Sequence, residues 1–120
     1  MAIAEEFGHG FTSNGNANNV TVFDLKTLMT IDHAPTGKEP DAIIYDPSSH
    51  RVFAMNGDGS SATAIDAAIG KVTGTVAFPG EPEFAAADGR GEVFVNIENK
   101  SAVAEIASHL PPPSSCCHTR

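Results

Sequence analysis

Three stretches of this chain repeat one another in register, and that periodicity constrains the fold more tightly than any other feature. An offset of 42 residues lays Phe53 on Phe11, Asn56 on Asn14 and Gly57 on Gly15. The same offset lays Ile65 on Phe23, Asp66 on Asp24, Pro82 on Pro40 and Asp88 on Asp46. An offset of 41 then lays Phe94 on Phe53 and Ile106 on Ile65. The lost residue falls in a turn, where Asp88-Gly89-Arg90-Gly91-Glu92 is one shorter than Asp46-Pro47-Ser48-Ser49-His50-Arg51. Length variation confined to a turn leaves strand registers intact, as a repeat protein requires.

The central unit, residues 41–78, gives the content of the repeat. Asp41-Ala42-Ile43-Ile44-Tyr45-Asp46, Arg51-Val52-Phe53-Ala54-Met55-Asn56, Ser61-Ala62-Thr63-Ala64-Ile65-Asp66 and the run 71–78 are each rich in strand formers. Turn residues close every run: Pro-Ser-Ser-His, Gly57-Asp58-Gly59 and Gly70-Lys71. Short strands punctuated in this way form an antiparallel four-stranded meander. Four strands in a period of roughly 40–45 residues are the mark of a propeller blade. The expected fold is therefore all-β, with blade units at 1–36, 37–78 and 79–107. A propeller needs about 4–8 blades to close, so three describe a partial, open arc.

The first unit begins with a stub, residues 1–5, aligned with the end of the strand at 41–46. Strands are expected at 10–14 and 20–24, and an edge-like run at 28–34, where Asp32, His33 and Pro35 interrupt the apolar rhythm. The third unit supplies 84–88, 92–97 and 101–106, with Ala107 standing where Asp24 and Asp66 stand in the other two. After it come Pro111-Pro112-Pro113 and Ser114-Ser115-Cys116-Cys117. Consecutive prolines cannot donate to a ladder, so residues 108–120 are expected to be a disordered tail, detached from the sheets. That leaves an open edge at 101–106. Each end blade also presents one face without a neighbour, with Val20, Phe23, Phe94 and Ile106 as candidates to be exposed there. Self-association, or completion by missing blades, follows as the expected partnership.

Those elements together resemble the YVTN-type, YncE-like β-propeller repeat. The resemblance rests on Val52-Phe53-Ala54-Met55-Asn56, Thr63-Ala64-Ile65-Asp66, Ile69-Gly70-Lys71-Val72, Gly37-x-x-Pro40 and Tyr45-Asp46-Pro47, and covers about residues 2–107. The chain departs from the pattern at Ile69, at Ala107, and at Leu28 in place of the turn glycine. The resemblance implies that the strand after each Gly-x-x-Pro turn is innermost, placing 41–46 and 84–88 on the central channel. It also implies that Glu39, Asp41, Glu81 and Glu83 stand at the channel mouth, where converging carboxylates could hold a divalent cation or a cationic ligand.

Chemistry beyond that mouth is sparse. The five histidines share no repeated position, and no His-x-His, HExxH or paired-cysteine spacing occurs. Ser60-Ser61 has no nearby base. Asp24 and Asp66, at strand ends, suit acceptance of turn amides, and Asn14 and Asn56 suit capping of their hairpins. No catalytic residue, cofactor or metal site is expected. A net charge of −8 disfavours nucleic acid. No apolar run approaches the roughly 20 residues of a membrane span. The amino terminus lacks a signal-peptide pattern, which points to the cytoplasm, although relatives of the resembled family are often exported. The expected function is a non-catalytic binding or scaffold module. The alternatives are part of a propeller enzyme of lactonase or quinoprotein-dehydrogenase type, or a truncated product without its own function.

Overall fold

A computed structural model describes residues 1–98, 101–107 and 115–119. These form twelve strands in three four-stranded antiparallel sheets, each pairing strands in chain order. The first sheet holds β1 (Ala2–Ala4), β2 (His9–Asn14), β3 (Asn19–Asp24) and β4 (Thr30–Pro35). The second holds β5 (Pro40–Asp46), β6 (Arg51–Asn56), β7 (Ser61–Asp66) and β8 (Lys71–Ala77). The third holds β9 (Pro82–Ala87), β10 (Glu92–Ile97), β11 (Ala102–Ala107) and β12 (Ser115–Thr119). A 3-10 turn at Glu5–Phe7 stands where the second unit has its Asp-Pro-Ser-Ser turn.

The repeat seen in the residues is present in the backbone. Left-handed conformations recur at Gly8, His50 and Gly91, and again at Asn18, Ser60 and Ser101. These are the same two register positions in three units. Leu28 and Gly70 share a third, with φ of 63° and 72°. Leu28 has taken over the glycine's conformation, which is sterically unfavourable for a residue with a Cβ.

Two apolar layers hold the sheets together. Phe11, Val20 and Val22 of the first sheet meet Val52, Ala54 and Ile65 of the second. Phe53, Met55 and Val76 on the other face of the second meet Val93, Val95 and Ile106 of the third. Burying each such side chain contributes about 1.5–3 kcal/mol. Strands β1, β5 and β9, the first strand of each unit, pack in succession against one another as the inner strands of the arc. Polar ties reinforce the first layer. The Tyr45 hydroxyl donates to Glu6 at 2.6 Å, the Ser13 hydroxyl donates to the Asp41 carbonyl at 2.7 Å, and Lys71 pairs with Asp32 at 2.8 Å. That last pair is exposed, and such pairs add little.

Asn14 and Asn56 act differently from the expected amide caps. The Asn56 side-chain amide donates to the hydroxyls of Ser61 and Thr63, at 3.0 Å each, clasping β6 to β7. Asn14 makes the equivalent bonds to Asn19 and Thr21 at 2.8 and 2.7 Å. In the third unit the same three positions are Ile97, Ala102 and Ala104, all buried, so an apolar contact replaces the clasp. Asp24 and Asp66 do accept turn amides, from Lys26 and Thr27 and from Ala68.

The end of the chain requires a correction. Residues 108–114 and 120 lie outside those described, but 115–119 do not form a detached tail. They pair with β11, Ala102 opposite Thr119 through Ile106 opposite Ser115, and so cover the edge expected to be open. The proline run carried the expectation of detachment, yet the five residues of β12 contain no proline. Every residue therefore keeps its N–H, and the alternate ones that face β11 can donate to an exposed strand edge, which is itself a template for pairing. Of the four residues expected on uncovered faces, Val20 and Ile106 are buried between sheets, whereas Phe23 and Phe94 point outward.

Three outcomes test this architecture. Removing residues 108–120 should lower the melting temperature by several degrees, since about 1 kcal/mol shifts it by roughly 4 °C in a domain of this size; an unchanged melt would mean that β12 contributes no stability. Asn56→Ala should cost about 1–3 kcal/mol by removing the amide that donates to the buried Ser61 and Thr63 hydroxyls, leaving Thr63 only the 3.3 Å bond from the Gly37 amide. Asn14→Ala, on a half-exposed clasp, should cost under about 1 kcal/mol by denaturant titration.

Candidate functional site

The acidic residues at the mouth of the inner strands are positioned by a repeated backbone stitch. The Gly57 amide donates to the Glu39 carbonyl at 3.0 Å, and in the next unit the Glu98 amide donates to the Glu81 carbonyl at 2.9 Å. Each bond ties a β-hairpin loop to the connection that enters the inner strand. A second bond, from the Gly59 amide to the Lys38 carbonyl, brings the chains so close that a Cβ at Gly59 would stand 2.9 Å from the Lys38 nitrogen. Glu39 itself has φ of 59°, and its amide is held by the Asn18 side chain at 2.9 Å.

Glu39, Asp41, Glu81 and Glu83 line one cleft of about 180 Å³, together with Asp58 and Glu98. Sequence reasoning missed the last two. Their signal was available in the register, because Glu98 aligns with Gly57 and both belong to the hairpin loops that the stitch draws inward. Among the described residues, no basic side chain lines the cleft. A hydrogen bond between Glu39 and Asp58 raises the Glu39 pKa above the usual carboxylate value, with Asp58, Asp41 and Glu81 adding repulsion. Glu98 is raised in the same sense by a hydrogen bond with Glu83. Two carboxyl pairs thus face the cleft, and in each the neighbouring acid makes the glutamate harder to ionise. Among the described residues, no group of three or more His, Cys, Asp or Glu is arranged to hold a metal ion. The arrangement is a dispersed anionic surface, suited to several cationic groups spread over its width.

The other candidates stand apart from it. His9 Nδ1 lies 2.8 Å from the Ala67 carbonyl and so ties the first unit to the second. The His50 ring meets Phe7 edge-on at 5.3 Å. His109 lies outside the described residues.

A carboxyl with a raised pKa binds its proton more readily in the folded chain than in the unfolded one. Its stabilising contribution is present at low pH and is lost as pH rises through the raised value. Glu39→Gln and Glu98→Gln should therefore raise the melting temperature near pH 7. The gain should shrink toward about pH 4, where ordinary carboxyls protonate; a gain independent of pH would contradict the raised pKa of these two groups.

No protein-family model matches the chain, and no curated protein matches it. Solved structures do. The hydrazine synthase of Kuenenia stuttgartiensis is 15% identical, with a TM-score of 0.80 over 89% of this chain and 31% of its own. The WD40 repeats of RRP9 and the structure of U3-55K are each 12% identical, with TM-scores of 0.80 over 99% of this chain and 36% of theirs. The chain spans about a third of the length of these structures. One is an enzyme and another a set of WD40 repeats, so the shared architecture does not decide function. The fold is that of β-propeller blades, three of them in an open arc.

Proposed function

We propose that the chain is a non-catalytic binding module of YVTN-type propeller blades, with units at 1–36, 37–78 and 79–107, whose acidic mouth takes a basic segment of a partner protein. The observation that carries this reading is the convergence of six carboxylates from two blades on one cleft, with no basic side chain lining it among the described residues. Support for the repeat type comes from the Asn56 clasp, the Gly37-x-x-Pro40 entry to β5 and the Asp46 turn, where the carboxylate accepts from the Ser48 amide and the Ser49 hydroxyl. Glu39, Asp41, Glu81 and Glu83 are the proposed contacts. Lysine and arginine side chains on an extended peptide reach separated carboxylates one at a time, and the anionic field speeds their encounter.

Titration with a lysine- and arginine-rich peptide tests the reading. Binding should be saturable, weaken steeply with added salt, and fall at least tenfold in the E39Q/D41N/E81Q/E83Q variant. Equal affinity for the variant would place the binding surface elsewhere.

A further inference from the structure

The outward face of the third sheet belongs, by register, to an interface that this chain already builds twice. In the first sheet, Ala2, Phe11 and Val22 stand opposite one another across three strands and are buried against the second sheet. In the second sheet the equivalent row is Ile44, Phe53 and Ala64, packed against the third, with Phe53 only 1% exposed. The third sheet repeats the row as Ala86, Phe94 and Glu105. There, Phe94 is 38% and the nearby Phe84 is 70% exposed. A shallow apolar hollow of about 350 Å³, floored by Phe84, Phe94 and Val103, lies over that row.

The complementary face is present at the other end of the arc. Tyr45, Val52 and Ile65 pack against the first sheet, and Ala87, Val93 and Ile106 pack against the second. Their equivalents in the first sheet are Ile3, Gly10 and Phe23, which face away from the second sheet. Ile3 is 52% exposed, and Phe23 is half-exposed. The Asn14 clasp belongs to this face and is already closed, as the buried Asn56 clasp is on the second sheet. Thus one end carries the knob row and the other the receiving row of the same joint.

We propose that the occupant of the Phe84–Phe94 face is the first sheet of a second copy of this chain, so that two copies close head to tail into a six-bladed ring. Two identical heterologous joints related by a two-fold axis close a ring, whereas a joint whose rotation does not close gives a filament. Propellers close with about 4–8 blades. Two copies supply six and three would supply nine, so the dimer is the whole-number solution for a three-sheet chain. Glu105 is the charged departure from the row, and its carboxyl is held in a hydrogen bond with Glu92. The proposal is independent of what the acidic mouth binds.

Sedimentation and light scattering of the 120-residue chain test it. A single species of twice the 12.5 kDa chain mass is expected. Phe94→Asp on one face and Thr21→Arg on the other should each give monomers that keep the strand signature in circular dichroism. Mixing the two variants should restore a dimer, because one of its two joints is then intact on both sides. A monomeric parent chain, or open-ended oligomers, would overturn the proposal. So would a Thr21→Arg variant that stays dimeric, since the third-sheet face would then be pairing with itself.

Discussion

Face-to-face burial between successive four-stranded sheets is the interaction on which the rest of this structure depends. A twisted four-stranded sheet alone has two faces in water and little to hold it together. Stacked sheets share the burden, because each joint removes a row of Phe, Val, Ile and Ala side chains from water on both sides. Stability in such a chain is approximately the sum of blade terms and nearest-neighbour joints. The second sheet, covered on both faces, has the most completely buried strands, β6 and β7. The end sheets rely on one joint each.

Much of this was legible because a repeat overdetermines its own register. A single alternating run leaves the choice of inward face open, but three aligned runs fix which residues share a row. The aspartates closing β3 and β7 were readable for the same reason, since a short carboxylate at a strand end has amides within reach. Burial at the ends was not readable. Val20 and Phe23 are three residues apart, so they point to opposite faces, and only the position of the neighbouring sheet says which face is wet. The tail misled because three prolines break a ladder locally and say nothing of the five residues after Ser114. For the cleft, the sequence yielded the four carboxylates flanking the prolines at 40 and 82. Asp58 and Glu98 escaped because they arrive through backbone stitches between loops, which side-chain patterns do not reveal.

The carboxylates at the mouth are held by the same joints that hold the fold. Glu39 and Glu81 sit on connections braced to hairpin loops by main-chain bonds, so their spacing is set by the distance between blades. Like charges are brought together there, and their repulsion in the Glu39–Asp58 and Glu83–Glu98 pairs raises the pKa of Glu39 and of Glu98. A cationic ligand would meet a surface whose geometry is already assembled, and would lose little freedom of the protein's own backbone on binding.

Among the described residues, every strand pairing within the three sheets joins neighbours in the chain, and no strand crosses from one sheet into another. Loop-closure entropy grows with the length of chain that must be gathered, and in the first two meanders only a few residues lie between one strand and the next. A sheet of this kind can assemble while the preceding one is already complete, in the order in which a ribosome releases it. Only the apolar joints between sheets then remain to form, by docking of finished surfaces rather than by threading. The same economy of connection lets a gene gain or lose a whole period without disturbing the pairings on either side, which makes blade number the easiest property of such a chain to change.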